Sequence, residues 1–140
     1  MKAWPLGVTL EVAGLGQILF CHATPTYNTR VFTALTPEEK LQPLFKGVSA
    51  QIVVCGHTRM PFDQRVGDLR VVNAGSVGMP FGEVGASWLL LDQAIVFKQT
   101  YYDLMAAARQ VRQTDSPEAE DFAVVNILSV PTEAEALSFL

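Results

Sequence analysis

The 140-residue sequence predicts a single α/β domain. Before about residue 102, short apolar runs alternate with Gly, Pro, Asn and Asp, a pattern typical of strands joined by turns. After that point, apolar residues recur at helical spacing. Hydrophobic residues make up 49% of the chain and charged residues 17%, a composition that supplies a core and excludes a disordered chain. We therefore expect strands mainly in residues 1–102 and a helical segment of the same domain in residues 103–140.

The strands are predicted from short apolar runs. Gln17–Cys21 and Gln51–Cys55 are continuous apolar runs with the length of a buried strand. Val8–Val12 alternates between apolar and polar residues and ends at Ala13-Gly14, which indicates a half-buried strand. Two hairpins complete the predicted strands: residues 65–72 with a turn at Gly67-Asp68, and residues 87–98 with a turn at Asp92-Gln93.

The helices are predicted from their capping residues. Thr36, Pro37 and Glu39 have the spacing of a capping box with proline at the first helical position, ahead of a helix over residues 36–46. The other predicted helices cover residues 103–113, 116–128 and 132–140, the last of them behind a capping box of Thr132 and Glu135.

Charge and cysteine content exclude several functional classes. The formal net charge is −4 and the basic residues form no cluster, so we expect no nucleic-acid-binding surface. No apolar run approaches the roughly 20 residues of a membrane-spanning helix, so we expect no membrane insertion. The chain has only two cysteines, which excludes a disulfide scaffold and indicates a reducing, cytoplasmic setting.

The two histidines of the chain occupy matching positions, because each follows one of the continuous apolar runs. His22 follows the first run directly, and His57 follows the second after one glycine. Ligands collect at the carboxyl ends of strands in open α/β folds, and a neutral imidazole binds zinc, manganese or iron. A histidine on its own is more often a structural side chain held by hydrogen bonds. The matched positions favour a metal site shared by His22 and His57.

A competing interpretation adds Cys21 and Cys55 to the two histidines as a structural zinc site. Adjacent residues of a strand point to opposite faces, so Cys21 and His22 converge only if the strand ends between them. The Cys-x-x-Cys spacing of structural zinc sites is also absent. Buried thiols that act as small hydrophobic side chains are the favoured interpretation of both cysteines.

Three consecutive segments carry a resemblance to a known family. Residues 20–25 (Phe-Cys-His-Ala-Thr-Pro), 56–62 (Gly-His-Thr-Arg-Met-Pro-Phe) and 72–80 (Val-Asn-Ala-Gly-Ser-Val-Gly-Met-Pro) resemble calcineurin-like metallophosphoesterases of the small bacterial and archaeal phosphodiesterase branch. That branch typically has Gly-His-Thr-His-x-Pro, then a strand, then Asn-Pro-Gly-Ser-Val-Gly. The resemblance implies a four-layer α-β-β-α sandwich, of which residues 1–102 would form the C-terminal half and residues 103–140 a helical continuation.

The resemblance also implies a phosphate-ester substrate and two divalent metal ions bridged by a carboxylate. His22 and His57 match two ligands of one of these ions, and the metal would be manganese, iron, zinc or nickel. The family's earlier motifs, Asp-x-His, Gly-Asp-x-x-Asp and Gly-Asn-His-Asp/Glu, are absent from the sequence. We therefore expect a metal-dependent phosphoesterase that is incomplete in this chain, with weak metal binding and little or no activity alone. The alternative is a non-catalytic remnant or truncated reading frame that acts as a partner-dependent interaction module.

Arg59 stands where the family has its last histidine. A guanidinium has no lone pair to offer a metal, so Arg59 either replaces a cation, holds a phosphate bidentately, or marks the loss of the site. Asn73 lies in a predicted turn, where it either shapes the turn or contacts phosphate. A half-fold would also expose a strand edge and apolar surface, so we expect self-association or a partner chain that covers them.

Overall fold

The computed structural model describes residues 4–139, which form two β-sheets and a set of short helices. The strands are β1 (Gly7–Val12), β2 (Gly16–Cys21), β3 (Ile52–Cys55), β4 (Phe62–Val66), β5 (Leu69–Asn73), β6 (Ala86–Leu91) and β7 (Ile95–Thr100). The α-helices are α1 (Glu38–Leu41), α2 (Leu104–Arg112), α3 (Ala119–Phe122) and α4 (Glu133–Phe139), with a 3-10 turn at Gln42–Phe45 and a π-helical segment at Ala123–Leu128.

The larger sheet is mixed and has the strand order β1-β2-β3-β5-β4. The three middle strands β2, β3 and β5 are parallel, and the outer strands β1 and β4 are antiparallel to their neighbours. All four residues of β3 are buried, as expected for an apolar, β-branched run covered on both faces. In this register Phe20 pairs with Val54, so the carboxyl ends of β2 and β3 lie side by side.

Each face of the larger sheet is covered by a different layer. On one face, residues of α1 and the 3-10 turn, Leu41 and Phe45, pack against Val53 and Val71. On the other face, the hairpin β6–β7 packs Leu89, Leu91 and Ile95 onto a second core cluster; its buried members are Ile18, Ile52, Val54 and Val72. The predicted α/β class is confirmed, with a mixed sheet between a helical layer and a second, two-stranded sheet.

The first predicted helix is shorter than expected, and its capping box is wrong. Only Glu38–Leu41 is α-helical, because Pro43 has no N–H and its ring disfavours continued α-helix; the chain continues as a 3-10 turn instead. Thr36 does not cap the helix, since its hydroxyl oxygen accepts a hydrogen bond from the Thr33 N–H at 2.9 Å. Pro37 occupies the N-cap position.

The second capping box forms as predicted. The Thr132 N–H donates to Glu135 Oε2 at 2.8 Å, and the Glu135 N–H donates to Thr132 Oγ1 at 3.2 Å. The segment just before α4 is tied to the loop between β5 and β6, where the Gly82 N–H donates to the Pro131 carbonyl at 2.9 Å. The other helices build a small core of their own around Ala108, Ala123 and Ile127. Within residues 4–139, no helix is long and apolar enough to cross a membrane.

Candidate functional site

The structure brings His22 and His57 together at the carboxyl ends of β2 and β3. His22 Nε2 and His57 Nδ1 lie 3.0 Å apart, and the two ring centroids are separated by 4.9 Å. One ring donates this hydrogen bond and the other accepts it, so each imidazole already directs a nitrogen toward its partner. The two strand ends are also joined through the backbone, since the Gly56 N–H donates to the His22 carbonyl at 2.9 Å. The parallel register thus produces the convergence that the matched sequence positions indicate.

The surroundings of His57 favour its neutral form. Burial lowers the pKa of His57 below its ordinary value, because a desolvated imidazolium is destabilised. The neighbouring His22 and Arg59 lower this pKa further, and a backbone hydrogen bond at Thr29 opposes them. A neutral imidazole retains the lone pair that a metal ion requires. His57 therefore enters any metal complex without first losing a proton at neutral pH.

Arg59 lies on the same loop as His57 and has an unusual backbone. His57 and Arg59 have φ values of 66° and 61°, and within the described chain they are the non-glycine residues with positive φ. Such a conformation costs about 1–3 kcal/mol and persists only where the surrounding structure enforces it. The Arg59 guanidinium carbon lies 4.7 Å from the centroid of the Phe81 ring. The loop therefore holds a cation near the His57 imidazole at a cost in backbone strain.

Asn73 lies beneath this loop and is fully buried. Its Nδ2 donates to the Gly56 carbonyl at 2.6 Å and to Thr58 Oγ1 at 3.0 Å. Its Oδ1 accepts a hydrogen bond from the Gly75 N–H at 2.9 Å. The structure therefore places Asn73 as a tie between the His57 loop and the turn after β5, with its polar atoms enclosed among protein groups.

The described residues fit part of a metal site and not a whole one. Two imidazole nitrogens suit two positions around one transition-metal ion. Among residues 4–139, no group of three or more His, Cys, Asp or Glu side chains is arranged to hold a metal ion. The zinc interpretation with Cys21 and Cys55 therefore has no support in the described part of the chain.

Both thiols instead lie in apolar surroundings. Cys55 is buried in the core on the helical side of the sheet, and Cys21 packs against the same cluster. Burial raises the pKa of Cys21 to about 11 and that of Cys55 further still. Both side chains therefore stay protonated at neutral pH and pack as small hydrophobic groups, as the sequence favours.

Two parts of the site are not predicted by the sequence. The first is the contact of Phe81 with Arg59, because 22 positions of chain separate these residues and no local pattern connects them. The second is Thr58, which is buried and receives a hydrogen bond from Asn73. The one signal for Thr58 in the sequence is its position between His57 and Arg59.

A family model described as the calcineurin-like phosphoesterase superfamily domain matches residues 3–94, more than half of the chain. No curated protein matches it. A crystal structure of a hypothetical protein from Pyrococcus horikoshii OT3 is similar, with a TM-score of 0.70, 19% identity, and coverage of 87% of this chain and 51% of that one.

A crystal structure of a metallophosphoesterase from Sphaerobacter thermophilus is similar as well. Its TM-score is 0.68 at 16% identity, with coverage of 91% of this chain and 58% of that one. At these identities the two structures support the fold alone. The chain spans between half and three-fifths of the length of these two solved structures.

Proposed function

This chain belongs to the calcineurin-like phosphoesterase superfamily, and we propose that it supplies the His22–His57 part of a metal-dependent phosphoesterase site. The observation that carries the proposal is the 3.0 Å approach of His22 Nε2 to His57 Nδ1 at adjacent strand ends. In this proposal both imidazoles turn from each other toward one divalent transition metal, whether manganese, iron, zinc or nickel. The remaining ligands, carboxylates above all, come from a partner chain or segment.

The proposal assigns separate tasks to the residues of this chain. His22 and His57 bind and orient the ion, and Arg59 holds an anionic oxygen of the phosphate ester. When bound, the metal would supply Lewis-acid polarisation of the ester and a hydroxide nucleophile at neutral pH. Since no third ligand accompanies the two histidines within the described residues, the chain alone binds metal weakly and hydrolyses phosphate esters little or not at all.

Metal titration of the purified chain tests this proposal. Calorimetric titration with manganese should show weak, one-site binding that is reversed by dialysis against a chelator. His22→Ala and His57→Ala should each abolish it, because a single imidazole cannot hold the ion. Cys21→Ser is the matched control, because Cys21 is adjacent to His22 in the sequence but is not a metal ligand in this proposal. This variant should bind manganese as the parent does. Manganese binding that survives both histidine substitutions would refute the proposal.

The same preparation distinguishes the alternative, a non-catalytic member of the family. A phosphodiesterase assay with added manganese should show no turnover by the chain alone under either interpretation. Manganese binding through both histidines supports the metal-site proposal, whereas its absence in the parent chain supports the non-catalytic alternative. Rapid turnover by the chain alone would contradict the expectation that ligands are missing.

Substitutions of Arg59 are expected to separate metal affinity from phosphate affinity. Arg59→His should raise manganese affinity, because it replaces a repelling cation with a potential ligand; histidine also tolerates the positive φ better than most residues. Arg59→Ala should weaken phosphate binding, since the bidentate donor is removed. Calorimetric titration of manganese and of phosphate into the three proteins measures both effects. Identical manganese and phosphate affinities in the three proteins would show that Arg59 contributes to neither binding event.

The exposed apolar surface supports association with itself or with a partner chain. β1 is an edge strand whose Val8 and Leu10 are 47% and 53% exposed, and the outer face of the hairpin exposes Trp88 and Leu90. Such an edge pairs readily with another strand. We expect sedimentation velocity to show a concentration-dependent dimer or larger species. Val8→Lys, which places a charge on the edge strand, should shift the protein toward monomer, whereas a fully monomeric parent at high concentration would contradict self-association.

A further inference from the structure

We propose that Phe81 is a positioning residue for Arg59, whose guanidinium it holds flat so that the N–H edge remains available to a phosphate group. This inference rests on the proposed role of Arg59 in phosphate binding. It adds Phe81, a residue on a different loop, to the proposed phosphate site. It also gives a physical reason for an arginine at position 59.

The Arg59 guanidinium lies over the Phe81 ring. Its carbon is 4.7 Å from the ring centroid, within the range of a cation–π contact. In the proposed arrangement the face of the guanidinium lies against the ring, and the five N–H donors, which lie in the guanidinium plane, point outward. A phosphate can therefore take two parallel hydrogen bonds from the edge without displacing the aromatic ring.

The Arg59 guanidinium contacts an aromatic ring, whereas other arginines of the chain form ion pairs with carboxylates. The arginine–carboxylate ion pairs within residues 4–139 are Arg70–Asp63 at 2.6 Å and Arg112–Glu120 at 2.7 Å. Both are bidentate, so the carboxylate occupies the guanidinium edge. Arg59 takes part in neither pair. Its charge is stabilised by an aromatic face instead, an arrangement that leaves the edge donors for an external anion.

The loop that carries Phe81 is itself anchored by the segment around α4. The Gly82 N–H donates to the Pro131 carbonyl at 2.9 Å, and Glu133 packs so closely that a Cβ at Gly82 would lie 2.9 Å from Glu133 Cγ. On the same helix, Leu137 lines a cavity of about 120 Å³ together with Met60 and other residues of the Arg59 loop. The helix α4 therefore lies beside both the Phe81 loop and the Arg59 loop.

Backbone strain at Arg59 is consistent with a held side chain. A φ of 61° is unfavourable for arginine by about 1–3 kcal/mol and would be relieved by glycine. The stacked side chain and the anchored loops offset that strain. Phe81 thus supports a conformation that the Arg59 backbone does not favour by itself.

Phosphate titration followed by two-dimensional NMR of the whole chain tests the inference. Phe81→Leu should weaken phosphate binding about two- to fivefold, since an exposed cation–π contact contributes about 0.5–1 kcal/mol. Phe81→Tyr should restore affinity to within about twofold of the parent, because it keeps the ring face. Ring-current shifts of the Arg59 side-chain protons should be lost in Phe81→Leu and kept in Phe81→Tyr. Phe97→Leu, at an exposed phenylalanine of the hairpin, is the control and should leave both readouts unchanged.

Combination with Arg59→Ala separates positioning from a general structural effect. In the Arg59→Ala background, Phe81→Leu should have no further effect on phosphate affinity. An equal loss in both backgrounds, or failure of Phe81→Tyr to restore binding, would overturn the inference. If the parent chain binds no phosphate, both the proposed role of Arg59 and this inference are refuted. Manganese titration of the parent and of the His22 and His57 variants tests the metal site independently.

Discussion

Replacing Asn73 with Asp should destabilise the protein by about 3 kcal/mol or more at pH 7. The carboxylate would lie where the Asn73 amide nitrogen now stands, 2.6 Å from the Gly56 carbonyl oxygen, and the site is fully buried. Two acceptors would then face each other without a proton between them. Urea unfolding at pH 7 measures the loss, and the His57 ring signals in NMR report whether the loop above Asn73 has moved.

The pH dependence of this variant provides an internal check. Burial raises the folded-state pKa of the introduced carboxyl above its unfolded value of about 3.9. The free-energy cost of ionising the buried carboxyl in the folded protein is therefore absent below about pH 4. It grows as the pH rises through the unfolded-state pKa. The stability difference from the parent should shrink toward pH 4 for Asn73→Asp and stay constant for Asn73→Ala. A difference for Asn73→Asp that is constant with pH would show that its carboxyl escapes to solvent.

Gly75→Ala should destabilise the protein by about 2–5 kcal/mol, through two separable effects. The φ of Gly75 is 79°, a left-handed conformation that costs a residue with a Cβ about 1–2 kcal/mol. A Cβ at this position would also lie 2.8 Å from Ser87 Cβ, so the turn and β6 would have to separate at a further cost of about 1–3 kcal/mol. Denaturant unfolding measures the sum.

Two matched glycines isolate these effects. Gly67 has a φ of 62° with open space around it, so Gly67→Ala should show the backbone cost alone. Gly78 has neither a positive φ nor a neighbour within 4 Å, and Gly78→Ala should be close to neutral. Adding Ser87→Gly to Gly75→Ala should recover part of the loss by removing the close contact. A Gly75→Ala variant no less stable than Gly67→Ala would contradict the steric argument.

Much of the site's location follows from local sequence patterns. The two continuous apolar runs correctly indicate β2 and β3, and the histidines after them converge because neighbouring parallel strands end at the same edge of a sheet. Glycine-containing turns were equally informative, since Gly67 and Asp68 join β4 to β5 as predicted. Such features depend on residues within a few positions of one another, for which side-chain periodicity and turn chemistry are sufficient.

Other features depend on which of several possible hydrogen-bond partners a polar side chain meets in the fold. Local sequence patterns carry no information on that. Thr36 has the spacing of an N-cap, yet its hydroxyl bonds Thr33, and the Pro43 ring stops the α-helix within a turn or so. The pattern around Asn73 predicts a turn near the site, but Asn73 is the last residue of β5, and only packing assigns its amide to Gly56, Thr58 and Gly75. A polar side chain forms hydrogen bonds with whichever group the fold brings within reach. The spacing of residues along the sequence does not predict which group that is.

The residues of this chain are enough to specify strands, turns, the histidine pair and the family. Their spacing does not specify that Arg59 adopts a left-handed backbone, that Phe81 lies against its guanidinium, or that α4 returns to lie beside both loops. The last two features join segments more than 20 residues apart. Their contacts form only after the layers have packed, and they offset the backbone strain at Arg59. Local propensity disfavours such a conformation, so it arises only from the assembled fold.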